Sequence, residues 1–522
     1  MRRVFRNFAM ALSFLAVPAM ALRYPAGASP AEPACASLVP EAQSDLAAHG
    51  WPGRAARWAA IRRIWTQAKP VLEAAVTRTN AAGVTLPSDE LHSTAATLRQ
   101  ALKYGENDLA LSMLPLWSAT LDRFVQTKRI PYHYPNRAQR NVTMDVDRPR
   151  WIAVARDGQE IELYSAIFLA DAMDVTSALA AVPDKQRLAA ATEFATRAAR
   201  IASDIYLRWS FGPPPMWQVV GWGCGAGGLN FADFIQQRKD GSLGNGLHPW
   251  CRAPWSYDLL IATGIANLLI AHTRDPVVAQ LSDADAQRLR QILAALASYF
   301  RTRFVPGKVA DADGKLVPTV DFDPGVWTDF EDFIQAGHES SDFPDGPASP
   351  KRGVGWDVSH GWRIVWMLDL FSAHAAEIGF SGDWRSVRAA FINQFRLKVL
   401  TEGAVPLLRN YFDGSNGWYR VDYAGRNGDG IPPFGLSRAL LENDWGTFVR
   451  DDRQVRDAFR TMWRALASPT GDQCKVLSSV YLENSFWRDR KSVPTPLSGG
   501  AAGLSLLPLL ATTPDSEEFA PN

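Results

Sequence analysis

The stretch DELHSTAATLRQALKY, Asp89–Tyr104, decides the fold class. Its apolar residues return at three- and four-residue spacing (Leu91, Ala95, Leu98, Leu102), which gathers them on one side of an α-helix. The same pattern holds over Ala55–Ala75 and over about Asn107–Thr127, and helices are expected again at 164–181, 184–209, 257–273 and 283–304. Further helices fit 357–378, 383–400, 436–443, 451–467, 475–487 and 498–511. Strand-like alternation is confined to short hairpins, one over 151–163 around Asp157-Gly158 and one over 306–320 around Asp313-Gly314. An all-α fold is therefore expected. No repeat motif is readable, which argues against a solenoid. A closed ring of helix pairs accounts better for the long polar-aromatic loops that recur between helices.

The chain opens with Arg2, Arg3 and Arg6, an apolar run from Phe8 to Leu22, and the small-x-small triplet Ala19-Met20-Ala21. These are the three parts of a signal peptide, expected over 1–21, and they imply a secreted or periplasmic protein. No later segment reads as apolar over the ~18 residues that a spanning helix needs, so no membrane span is expected. The expected organisation is a linker over 22–50, one domain over 51–512 and a tail over 513–522. A formal net charge of +1 argues against nucleic acid as the main partner. In an exported chain the four cysteines permit disulfides. Cys224 and Cys251 flank one glycine-rich loop and are expected to pair, closing a flap that carries Asn230, His248 and Trp250. Cys35 and Cys474 are the candidates for joining the two ends.

The densest chemistry lies in DFDPGVWTDFEDFIQAGHESSDFPDGPASPKRGVGWDVSHGWRIVWMLD, Asp321–Asp369. Its first half collects Asp321, Asp323, Asp329, Glu331, Asp332, Glu339, Asp342 and Asp345. A Gly/Pro/Ser-rich loop follows, and a helix opens at Asp357, whose simplest role is an N-cap. Asp357, His360 and Arg363 fall at i, i+3 and i+6, so a carboxylate, an imidazole and a guanidinium share one helix face. Trp356 and Trp362 flank them. A second polar-aromatic cluster, RNYFDGSNGWYR, holds Tyr411, Asp413 and Trp418; Trp222, His248 and Trp250 occupy the long irregular segment 210–256. The 19 tryptophans suit aromatic cores. Many, however, stand beside Gly, Pro, Asp or Asn, where an indole face can meet the C–H groups of a sugar. No HExxH, paired CxxC, P-loop, dinucleotide fingerprint or GxSxG is present, so no metal and no cofactor is expected.

With its signal peptide, serial amphipathic helices and loops such as WDVSHGWR and YFDGSNGWYR, the chain resembles secreted carbohydrate-active enzymes of the (α/α) toroid type. These include glycoside hydrolases and polysaccharide lyases. The resemblance implies an (α/α)6-like toroid of paired helices with short β-hairpins and long aromatic loops, acting on a polysaccharide or oligosaccharide. Read as a glycoside hydrolase, the chain would use Asp357 with Glu331 or Asp332 as the acid/base pair. His360 joins them as a catalytic candidate. Trp222, His248, Trp250, Trp356, Trp362, Arg363, Tyr411, Asp413 and Trp418 would line subsites. Read as a lyase on uronic-acid polymers, it would use His360 or His248 as base, Arg363 as the carboxylate neutraliser, and Tyr411 or Tyr132 as proton donor. A non-catalytic glycan-binding envelope protein is the third expectation.

Overall fold

The computed structural model describes residues 36–132, 142–156, 158–183, 185–212, 224, 229–243, 248–380, 382–423, 428–482, 488–489 and 499–515. The expected signal peptide, Cys35 and Trp222 lie outside them. The described chain is mostly α. It begins with α1 (Gln43–His49), α2 (Arg54–Ala82), α3 (Ser88–Tyr104) and α4 (Asn107–Leu121). Strands β1 (Phe124–Tyr132) and β2 (Val142–Ala153) precede α5 (Glu162–Ala180), α6 (Ala189–Phe211), α7 (Phe231–Asp240), α8 (Ser256–Arg274) and α9 (Asp283–Arg301). After β3 (Phe304–Ala310) and β4 (Leu316–Phe322) come α10 (Val358–Ala373), α11 (Ala375–Ile378) and α12 (Trp384–Gln394). The remainder holds β5 (Leu400–Thr401), β6 (Leu407–Leu408), β7 (Asp429–Gly430), α13 (Ala439–Glu442), α14 (Arg453–Ala467), α15 (Gly471–Val476), β8 (Arg488–Asp489) and α16 (Gly499–Thr512). The described strands pair only two by two, each with its neighbour in sequence order.

Two local readings change. The helix expected to reach Thr127 stops at Leu121, and Phe124 already starts β1. Residues 151–153, read as the first arm of a hairpin around Asp157-Gly158, pair instead with β1, in the register Phe124↔Ala153, Val125↔Ile152 and Gln126↔Trp151. The expected reversal at Gly158 is present in short form: Val154 and Glu160 form an antiparallel bridge, with Ala155 N donating to Gln159 O and Ile161 N to Ala153 O, each at 2.8 Å. Alternation identifies a strand but not its partner, and here the partner lies across a longer connection. The irregular segment 210–256 also contains α7, capped by Asn230, whose Oδ1 accepts from Asp233 N at 2.9 Å.

The described chain divides into two compact units. One takes Leu72–Phe304 and Trp366–Arg385; the other takes the residues before Leu72, Val305–Val365 and the chain from Ser386 on. At the centre of the first is α5, packed against α3, α6 and α8. This helix is long and apolar enough to cross a membrane, contrary to the sequence expectation, but 83% of that window is buried inside the protein. Its Phe168 meets Trp117 of α4 with ring centroids 5.6 Å apart, and Trp117 in turn meets Phe194 of α6 at 6.2 Å. Two ion pairs are taken fully inside, Arg208 with Glu160 and Arg238 with Asp258. Cys224 and Cys251 are joined in a disulfide, as expected, with Cα atoms 5.3 Å apart. Cys474, in the other unit, is also disulfide-bonded.

The second unit ties early residues to late ones. Trp51 Nε1 donates to Pro514 O at 2.9 Å, Leu38 N to Leu466 O at 2.8 Å, and Arg57 pairs with Asp515, both side chains buried. Residues 513–515 therefore belong to the core rather than to a tail. Its aromatic centre is Trp445, stacked on Phe395 at 4.6 Å and lying against Phe412 and Phe448.

The Cys224–Cys251 bond spans 27 residues of chain. A cross-link of that length stabilises a folded state by about 3.5 kcal/mol, chiefly by restricting the unfolded chain. The Cys224→Ser/Cys251→Ser variant should lose stability on that scale in a denaturant titration, with a steeper slope because its unfolded chain is less compact.

Candidate active site

The site grows from the start of α10. Asp357 stands just before the helix, and its Oδ1 accepts from His360 N at 3.1 Å, the N-cap bond anticipated from sequence. The same carboxylate has a second task. His360 Nδ1 lies 2.9 Å from each of its oxygens, and Ser359 Oγ donates to it as well. With Nδ1 committed to Asp357, the lone pair of His360 falls on Nε2, which makes no hydrogen bond among the described residues. The imidazole keeps 24% of its surface exposed, whereas the Asp357 side chain keeps 4%.

Backbone pairing fixes this dyad. Val358 N donates to Asn410 O and Phe412 N to Trp356 O, each at 2.9 Å, so the loop after β6 runs along the entrance of α10. Gly361 makes the approach feasible. A Cβ there would stand 2.0 Å from Phe412 Cε2.

From that loop comes Arg420. Its Nε donates to Asp332 Oδ2 at 2.8 Å, and its guanidinium lies over the rings of Tyr419 and Tyr423 at 5.1 and 4.7 Å. The Tyr419 ring stands edge-on to His360, centroids 6.5 Å apart. Arg420 has φ +55°, and Asp323, Asp422 and Phe434 share this left-handed conformation. Such residues each cost roughly 1–3 kcal/mol and persist only where their surroundings over-determine them. Here Arg420 N is held by Asp332 O, Asp422 N by Asp429 O, and Phe434 N by Asn416 Oδ1.

These contacts set the charges. Burial alone would raise the Asp357 carboxyl, but His360, Ser359 and Arg420 outweigh it and hold it well below the usual carboxylate range. Burial lowers the His360 imidazole; Asp357 restores part of the shift, while Arg363 and Arg420 push in the same direction as burial. The result at neutral pH is an ionised Asp357 beside a neutral His360. Desolvation and the neighbouring Asp332 raise the Glu331 carboxyl, against the pull of Arg420. Asp321 is pushed up to about 7 by burial and by Asp413 and Asp323.

The structure brings Asp357, His360, Asp332, Tyr411 and Trp418 into one neighbourhood, and Arg363 acts on His360 electrostatically. It gives several of them duties other than binding. Tyr411 is fully buried and its hydroxyl donates to Trp418 O at 2.8 Å, so it has no access to a leaving group. Trp356, Trp362 and Trp418 are core residues rather than sugar platforms. Trp356 meets Phe322 and Trp327, Trp362 lies under Arg363 at 4.8 Å, and Trp418 Nε1 donates to Ser340 O. Asp413 shapes a turn by accepting from Ser415 N and Oγ. His248 and Trp250 belong to the first unit and stack on one another, centroids 4.1 Å apart and nearly parallel. Arg420 was absent from the sequence expectation, although it is the lone cation in the aromatic-acidic run from Asn410 to Gly425. Among the described residues no group of three or more His, Cys, Asp or Glu side chains is arranged to hold a metal ion.

Comparison with family models, with curated proteins and with solved structures finds no match to this chain.

Both members of the dyad have lowered pKa values in the folded state, so on acidification the unfolded chain binds their protons first. The stability they contribute is present above the ordinary histidine value, about 6.5, and declines as pH falls below it; Asp357 adds a further loss below the ordinary carboxylate value, about 4. The difference in Tm between wild type and His360→Gln should therefore shrink from pH 8 to pH 5. A difference that grows would contradict the assignment. Removing the Arg420 guanidinium, in Arg420→Met, strands the buried Asp332 carboxylate and should cost about 3 kcal/mol, much of it recovered in the Arg420→Met/Asp332→Asn double variant.

Proposed function

We propose that the chain is a secreted or periplasmic carbohydrate-active enzyme that cleaves a uronic-acid polymer by β-elimination, with His360 as the base. The observation that carries this reading is the neutral imidazole itself, oriented by an ionised Asp357, offering Nε2 within the influence of two guanidinium groups. Abstraction of a proton next to a carboxylate requires that carboxylate to be neutralised and the base to be unprotonated near pH 7. Arg363 and Arg420 supply the first condition, and they help to secure the second by disfavouring imidazolium in the free enzyme. The near-zero net charge of the chain is no obstacle when the cations are concentrated at the reacting group.

In this scheme Nε2 takes the proton on the carbon bearing the substrate carboxylate. The released electron pair forms the new C=C bond as the neighbouring C–O bond breaks, and the imidazolium returns the proton to the departing oxygen. Asp357 acts as a positioning residue that fixes the tautomer and stabilises the transient imidazolium. The (α/α)6-like ring belongs to the same proposal, supported by the successive packing of α3, α5 and α8 within the first unit.

Hydrolysis of a glycosidic bond is the second reading, favoured by Glu331, whose carboxyl is held above its ordinary value and so suits a proton donor. It loses Asp357 as a partner, because a carboxylate so firmly ionised is a poor acid and a weak base.

A screen of neutral and uronic-acid polymers followed by ultraviolet absorbance and by reducing-end release separates these readings. Elimination yields an absorbing unsaturated uronate, with kcat reduced about 10³-fold in His360→Ala and little changed in Tyr411→Phe. Reducing ends without absorbance, lost in Glu331→Gln, would establish hydrolysis instead. Tight glycan binding without either product would reject both.

A further inference from the structure

Beside its disulfide, the first unit leaves an aromatic pair and a cation in water. His248 and Arg252 are exposed and Trp250 is half-buried, all within one short stretch whose turn is Pro249–Arg252. The His248 ring lies parallel to the Trp250 indole, with centroids 4.1 Å apart and 6° between the planes. This stack covers one face of the imidazole and leaves the other to solvent. Two residues beyond Trp250, the Arg252 guanidinium makes neither a hydrogen bond nor an ion pair among the described residues.

The backbone beneath these side chains is held from several directions. Cys251, between Trp250 and Arg252, is fully buried and bonded to Cys224. Cys251 N donates to His248 O at 3.0 Å, and Ala253 N to Trp250 O at 3.1 Å. Tyr299 Oη donates to Arg252 O, and Arg238 Nη1 to Ala253 O at 2.6 Å. Arg238 is itself fixed by its buried ion pair with Asp258. Buried groups are thus committed to a turn whose own aromatic and cationic side chains stay outside the core. Exposed apolar surface on a rigidly supported loop is the arrangement of a binding surface. A ligand meeting such a turn loses little affinity to ordering it.

We propose that the turn carrying His248, Trp250 and Arg252 is a second binding surface, which takes a uronate residue of an acidic polysaccharide. The C–H face of the sugar ring lies on the imidazole–indole stack, and its carboxylate meets Arg252. A 3-10 turn rises about 2 Å per residue, so His248 and Arg252 stand about 8 Å apart along it, the scale of one sugar ring with its carboxylate. The planar guanidinium matches a carboxylate through two parallel hydrogen bonds. A neutral sugar would leave Arg252 without a counter-charge, and a small inorganic anion would leave the stack in water. Single-stranded nucleic acid offers faces and charge too, but a chain of net charge +1 lacks the basic field that such a partner needs. The identity of the polymer rests on the reading proposed above; the surface itself uses no residue of the His360 site.

The test is affinity electrophoresis of the full chain, carrying His360→Ala so that the polymer is not consumed. Polygalacturonate and polymannuronate are the charged probes, galactan and mannan the neutral ones, and oligo(dT) the nucleic-acid control. At least one polyuronate should retard the protein, and less so as salt is raised. Adding Arg252→Gln or His248→Ala should weaken that binding about tenfold, whereas Arg252→Lys should keep most of it. Neither weakening variant should lower Tm, since Arg252 has no partner to lose and His248 is exposed. Failure to bind either polyuronate, equal binding of the neutral polymers, tighter binding of oligo(dT), or undiminished binding in both variants overturns the proposal. The wild-type chain separates this result from the chemistry at His360. Binding that depends on Arg252, without unsaturated product, would reject the elimination and keep the surface. Product formation with binding indifferent to Arg252 and His248 would do the reverse.

Discussion

Asn410 donates through Nδ2 to the carbonyls of Gly417 and Pro432, both at 2.9 Å, and accepts from Leu436 N through Oδ1. Its own carbonyl accepts the amide of Val358 at the head of α10, and its amide donates to Asn416 Oδ1. One fully buried side chain thereby holds three turns of an irregular loop against the helix that carries His360. A network of this kind is favourable only when complete, because each unmet partner in a dry interior would cost more than one bond contributes. Asn416 extends it by accepting from Phe434 N, and its own amide donates to Glu339. The irregular half of the second unit is thus ordered by polar bonds rather than by regular secondary structure.

That order allows Arg420 to stand where it does. A left-handed arginine is conformationally costly, and a cation with 18% exposure loses much of its hydration. Both penalties are offset by Asp332, by the faces of Tyr419 and Tyr423, and by the backbone bond to Asp332 O. The same guanidinium stabilises the ionised form of Asp357 and disfavours a charged His360. Removing it would therefore alter the fold of the loop and the protonation of the dyad together.

Most of the helices were readable because they bury one face, and a 3.6-residue period survives in the residues that do so, whereas α5 is buried nearly all round. The pair β1–β2 was not, since strand periodicity is silent about partners, and α7 was hidden between glycine- and proline-rich flanks. At the site, Asp357, His360 and Arg363 were legible as a helical face. Arg420 was not, because its place depends on a backbone conformation and on a partner 88 residues away. The tryptophans show a different failure. Gly or Asp beside Trp356 and Trp418 describes the local backbone, whereas burial is decided by Phe322, Trp327 and Phe343, which arrive from elsewhere.

Helix α5 poses a question for a chain proposed to leave the cytoplasm. It satisfies the length and apolarity of a transmembrane segment, and its burial depends on neighbours such as α6 and α8 that follow it in the chain. While those are still to come, a translocation channel would meet α5 as a bare apolar stretch. Asp171 and Asp174 lie at its middle. A carboxylate at the centre of a membrane helix disfavours lateral insertion by about 3 kcal/mol. Two of them counteract the many apolar residues around them and would keep the segment in transit. In the folded protein they are matched by His92 and Arg99; on the proposed export route the same charges would direct the helix past the lipid rather than into it.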